Sequence, residues 1–215
     1  FNDPDATQRH TLGRQIDGDD PYWGGATFIY LKAGEAIDMG ELNVWDKDFV
    51  ATNVPNTANT GRSVAAAMYP MASGDYGWFC VDGEVPVAVT ASVAAGTTVG
   101  LTGAGTVGAV TNGKQILNAV SSLASTGTVA KANTTTVSGS NILRLSIPAD
   151  GWVYGIALSG TVIAASTTVT GISEDGRTVT MNNNATASGS VTVTGTYTGF
   201  IKLQMMHPFV QGQVT

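Results

Sequence analysis

The stretch TTVGLTGAGTVGAVTNG, residues 97 to 113, holds a complete G-x-G-x-x-G in Gly103, Gly105 and Gly108. Glycines at that spacing let a backbone approach a pyrophosphate, provided they leave a strand and open a helix whose N–H groups face the phosphates. The residues that follow are AVTNGKQ, and Asn112-Gly113 is itself a turn signal, so no helix can start there and persist. A ribose-binding carboxylate about 20 residues further on would complete the site. Residues 109 to 149 contain no Asp or Glu. The glycines are expected to turn the chain.

The remaining reactive residues form no catalytic pattern. The two histidines, His10 and His207, lie far apart in sequence, and no paired His or Cys spacing supplies the roughly four ligands of a zinc site. No Gly-x-Ser-x-Gly elbow occurs. Cys80, the single cysteine, excludes an internal disulfide, and its neighbours Trp78, Phe79 and Val81 mark it as a buried small hydrophobe. IDGDDP sets Asp17, Asp19 and Asp20 around Gly18, loosely like a Ca²⁺ loop, but Phe28 stands where the closing Glu belongs. That stretch reads as a solvated acidic arm. Glu174 and Asp175 read as part of a hairpin turn, and the scattered Trp23, Trp45, Trp78 and Trp152 as core or interface residues. No catalytic, cofactor-binding or metal-binding residue is assigned. The chain is read as a non-enzyme, without cofactor, that works through its surfaces.

The elements that would carry such surfaces are strands. Charged residues make up 12% of the 215 residues, about half the usual share, and Thr, Ser, Gly, Ala and Val take their place. β-Branched side chains suit a pleated sheet and glycines supply turns, so the composition predicts an all-β fold. Sparse charge also predicts surface covered by other subunits. The net charge of −6, without any run of Lys or Arg, argues against binding nucleic acid or an anionic membrane surface. The opening FNDPDATQRH has no basic head or apolar run.

Along the chain, residues 1–24 show no period and read as an extended N-terminal arm. Residues 25–160 read as a compact β-barrel or sandwich-like core of short antiparallel strands. FIYL (28–31), ELNVW (41–45), TTVGLT (97–102), KQILNAV (114–120), ILRLSI (142–147) and WVYGIAL (152–158) are predicted strands. SVAAAMY (63–69) fits a strand or one helical turn. YGWFCVDGEVPVAV (76–89) reads as a hairpin turning at Asp82-Gly83. Residues 121–141 read as a long exposed loop. Residues 161–198 read as a projecting meander insertion, with strands at Val169 and Ile172, Val179 and Met181, and Val191 and Val193. Residues 199–215, with GFIKLQMMHPFV, are expected to return a strand to the core.

The succession AGEAIDMGELNVWDKDFV, GRSVAAAMYP, GWFCVDGEVPVAV and SVAAGTTVGLTGAGTVGAV resembles the cadence of the β-rich proteins that decorate tailed-bacteriophage capsids. TVTGISEDGRTVTMNNNATASGSVTVTG looks like a hairpin module of phage virion proteins. The resemblance implies a virion structural protein on the outer surface of the capsid. It would cement the assembled icosahedral shell by bridging neighbouring capsomers, with the major capsid protein and copies of itself, as a homotrimer, for partners. In that setting the arm is the expected capsid contact, through Leu12, Ile16, Asp17, Asp19, Asp20, Tyr22 and Trp23, and deleting residues 1–20 should leave the free protein's melting temperature almost unchanged while weakening attachment to the shell. The alternatives are a head-fibre or tail protein binding host glycans and a secreted bacterial adhesin-like β module.

Overall fold

The computed structural model describes residues 4–20, 24–90, 92–122, 124, 126–149, 151–152, 155–173 and 175–212. Sixteen strands and no helix run through them, so the chain is all-β, as its Thr, Val and Gly content requires. Two compact units divide it: Phe1–Ser125 with Gly199–Thr215, and Thr126–Thr198 inserted between those segments. The insertion thus begins at Thr126, not at 161 as expected, and the first unit's own sequence core stops at 125, not 160.

In chain order the first unit contains β1 (Gln15–Asp20), β2 (Gly24–Ala33), β3 (Leu42–Trp45), β4 (Val50–Asn53), β5 (Ala65–Ala67), β6 (Tyr76–Ala88), β7 (Thr98–Gly103), β8 (Thr106–Gly108) and β9 (Gln115–Ser121). The inserted unit contributes β10 (Thr126–Thr136), β11 (Ile142–Arg144), β12 (Ala157–Ser159), β13 (Thr167–Ile172), β14 (Thr178–Met181) and β15 (Gly189–Thr198). The chain then returns to the first unit as β16 (Phe200–Val210).

The first unit is one ten-stranded sheet in the order β1-β2-β4-β3-β5-β6-β16-β9-β7-β8, with β2 also paired to β6. That extra pairing closes β2, β4, β3, β5 and β6 into a ring. Strand alternation sends Ile29, Leu31 and Ala33 of β2, with Ala65, Ala67, Phe79 and Val81, into one cluster. Ala26 and Phe28 join Ala66, Cys80, Val85, Val87, Leu203 and Met205 in the other. Full burial of each Val, Leu, Ile, Phe or Met among them stabilises the unit by roughly 1.5–3 kcal/mol.

The odd-numbered residues of β6 enter both clusters because the strand changes face. β6 is continuous: its first half pairs with β2 and β5, its second with β16. The predicted hairpin at Asp82-Gly83 is therefore a bulge. The register slips between Thr27↔Asp82 and Phe28↔Cys80, and Gly83 takes φ +121°. An extra residue reverses which side chains face inward, so Phe79 and Val81 enter one cluster while Val85 and Val87 enter the other. A Cβ at Gly83 would stand 2.7 Å from the Ala26 Cβ, so only glycine allows the approach. β16 switches in the same way. Its register with β9 shifts between Met205 and Phe209, His207 has φ +48°, and both Met205 and Val210 reach the core.

Gly103, Gly105 and Gly108 lie in the β7–β8 hairpin, with Gly105 at φ +65° in its turn. SVAAAMY forms the strand β5 and no helical turn.

The inserted unit is a closed barrel, β10-β11-β14-β13-β12-β15, with no sheet edge. The three predicted meander strands are β13, β14 and β15, and Gly176 (φ +66°) turns the β13–β14 hairpin. Trp152 is fully buried and donates from Nε1 to the Val129 carbonyl at 3.0 Å. Gly195 makes room for it, since a Cβ there would lie 2.6 Å from Trp152 Nε1 and from Ile156 Cδ1. Most of the predicted 121–141 loop is β10, which pairs with β15 and β11. Its buried positions are Lys131, Thr134 and Thr136, while Thr128, Ala130 and Ala132 are exposed. That inverts the apolar-in, polar-out pattern by which strands are read from sequence.

Candidate interaction surface

Residues 4–20 belong to the first unit and are not a free arm. Asp5 and Tyr76 exchange two backbone hydrogen bonds, each 2.8 Å. The Asp5 carboxylate accepts from Arg9 Nε at 2.6 Å and from the Tyr30 hydroxyl at 3.3 Å. The Arg9 backbone N–H donates to that hydroxyl at 3.2 Å. His10 stands edge-on to Tyr30, ring centroids 5.1 Å apart, and 5.2 Å from Trp78. These contacts latch the segment over an aromatic row on β2 and β6. Tyr30 is fully buried, and burial above all raises its pKa, with the Asp5 charge adding and the Arg9 N–H opposing.

Beyond the latch, Gln15–Asp20 forms β1, six residues antiparallel to β2 without a break in register. The sequence hides this strand because one face and one edge meet solvent. Of its predicted contact residues, Ile16 packs against the core cluster and Leu12 is half-buried beside the turn at Gly13. Asp17 and Asp19 are exposed, and Asp20 ends the strand. Tyr22 and Trp23 lie outside the described residues, as does Glu174.

The side chains of Asp17 and Asp19 lie on one face of the sheet, beside Thr27 of β2 and Asp82 of β6. Thr27 Oγ1 donates to Asp17 Oδ1 at 2.7 Å, and Thr27 is in turn the ladder partner of Asp82. An open hollow of about 460 Å³ is lined by Asp17, Asp19, Thr27 and Asp82 over the small residues Gly25 and Ala26. Among the described residues no Lys or Arg lines it. At its border His207 Nδ1 donates to Asp82 Oδ2 at 3.0 Å, joining the bulge of β16 to that of β6. Asp82 and His207 were not predicted as site residues. The turn-like Asp-Gly pair concealed the first, and only the fold brings the second to it across 125 residues.

Cys80 is buried as expected, with Sγ 3.2 Å from the Asp82 carbonyl. Among the described residues no group of three or more His, Cys, Asp or Glu could hold a metal ion. Trp45 and Trp78 pack at the margins of the two clusters, and Trp152 fills the barrel. Comparison with known proteins finds no matching family model, no matching curated protein and no matching solved structure.

Proposed function

We propose that this protein is a structural component of a tailed-phage virion that binds the outside of the assembled capsid and bridges neighbouring capsomers, without catalysis or cofactor. One observation carries the reading: β1, an acidic strand, stands at the margin of the large sheet with its outer edge open. The cadence shared with capsid decoration proteins supports it. The charge distribution supports it too. Residues 126–198 hold three basic residues (Lys131, Arg144, Arg177) against three acidic ones (Asp150, Glu174, Asp175), so the whole −6 resides in the first unit. Many copies on a symmetric shell, each weakly held, would stabilise it through avidity. A homotrimer is the proposed assembly, and native mass spectrometry showing only monomer, free and on shells, would contradict it.

Co-sedimentation with compact precursor shells and with expanded shells tests the function. Binding should favour the expanded form, and decorated particles should release DNA at a higher temperature than bare ones. Equal binding to both forms without a thermal shift would overturn the proposal.

A further inference from the structure

We infer that the outer edge of β1 accepts one more strand, an extended segment of a partner protein carrying Lys or Arg at alternate positions. This rests on the surface-binding reading above and adds the chemistry of what is bound.

The backbone makes the edge available. Tyr30 N–H donates to the Arg14 carbonyl at 2.9 Å, and the register continues as Gln15↔Ile29 and Ile16↔Phe28. Antiparallel bonding alternates residue by residue, so Ile16 and Gly18 bond to β2. The N–H and C=O groups of Gln15, Asp17 and Asp19 point away from the sheet. Among the described residues nothing pairs with them. Sheet edges are usually blunted by brevity, proline, a bulge or cover. β8, at the opposite margin, is three residues long and is bridged through Val107 to Val89. β1 has twice that length, no proline and no bulge.

The side chains choose the occupant. A strand added antiparallel would place the residues bonded to Asp17 and Asp19 on the same face as those carboxylates, within reach of cross-strand pairing. Lys or Arg there would neutralise two exposed acids lining a hollow that has no Lys or Arg among its described residues. A second copy of β1 is a poorer occupant. Pairing it antiparallel about Asp17 or Gly18 sets Asp against Asp, and like charges directly opposite are destabilising.

The probe is a short synthetic peptide alternating Lys and Thr, added at low salt to the full chain while amide hydrogen exchange is followed by NMR. The peptide should slow exchange at Gln15, Asp17 and Asp19, whereas Ile16 and Gly18 are protected already. Methylating the backbone nitrogens of its Lys residues should abolish binding, since those N–H groups would bond to β1. Replacing Lys by Gln, or using the D17N/D19N variant, should weaken binding roughly tenfold, as two partly exposed ion pairs allow. Equal binding by the methylated peptide, or protection elsewhere than β1, would overturn the inference. Peptide binding at β1 with no attachment to shells would reject the capsid function and leave the edge standing. Shell attachment untouched by D17N/D19N, together with an inert peptide, would do the reverse.

Discussion

The two units solve the edge problem of β structure in opposite ways. The inserted barrel closes on itself, carries balanced charge and exposes no ladder. The first unit closes a ring within its sheet yet leaves β1 at an open margin, and all the excess negative charge lies in that unit. Closure removes the means of pairing with another chain, and an open acidic edge retains it. The comparison makes the first unit the proposed site of recognition and leaves the barrel as a self-contained module. Its ends meet directly, because Thr126 and Thr198 are ladder partners.

The largest effect is expected in the barrel core. Trp152→Ala removes a fully buried indole and its bond to Val129, and should cost about 3–5 kcal/mol in urea denaturation. If the units are energetically separate, amide exchange in β2 and β6 will not change. Loosening there would break the comparison.

In the first unit, Gly83→Ala strains a φ of +121° and drives a methyl against Ala26. A loss of about 1–3 kcal/mol should follow, read as a lower denaturation midpoint. A neutral result would mean that the face switch of β6 does not depend on that glycine.

The latch makes a smaller contribution, with a pH signature. Tyr30→Phe leaves Asp5 and Arg9 without their hydroxyl partner and should cost about 0.5–1.5 kcal/mol. Burial raises the Tyr30 pKa, so folding favours the protonated phenol. That penalty on ionisation is absent below the unfolded value of about 10 and erodes stability as pH rises above it. Tyr30→Phe should therefore flatten the alkaline limb of the stability profile. An unchanged limb would remove Tyr30 as its cause.

The smallest effect lies on the barrel's surface. The Ser173 hydroxyl, then the Arg177 N–H, hold the Asp175 carboxyl below its usual pKa in the β13–β14 turn. Its contribution is present above the unfolded pKa, near 3.9, and is lost as pH falls through the lower folded value. Asp175→Asn should shift only the acid limb. A change at neutral pH as large as that of Trp152→Ala would contradict the assignment.

What the sequence made legible follows period and turn chemistry. β2, β3, β7, β9 and the three strands of the meander are runs of aliphatic, β-branched and aromatic residues set between turn residues, and Gly105 and Gly176 turn where their neighbours signal a turn. Three features were hidden for physical reasons. β10 puts Lys and Thr inside and Ala outside, so its pattern looks like a loop. β6 runs through an Asp-Gly pair that locally favours a hairpin, because Ala26 and the β16 ladder hold it extended. β1 is stabilised by β2 and by Ile16 on the core, contacts invisible in QIDGDD itself. Its carboxylates were legible as an exposed acidic stretch, but the neighbours Thr27, Asp82 and His207 required the fold. The stability expected to survive loss of residues 1–20 is reversed by the same contacts. Deletion strips the latch and uncovers Ile16's side of the core, and should lower the melting temperature.

The most direct measurement joins Ser125 to Gly199 through a short Gly-Ser link, removing Thr126–Thr198, and compares attachment to expanded shells with that of the full chain. The account predicts that the remaining unit keeps its β-sheet circular dichroism and binds as tightly, and that D17N/D19N weakens both proteins alike. A folded first unit that no longer attaches would place recognition in the barrel and contradict the account.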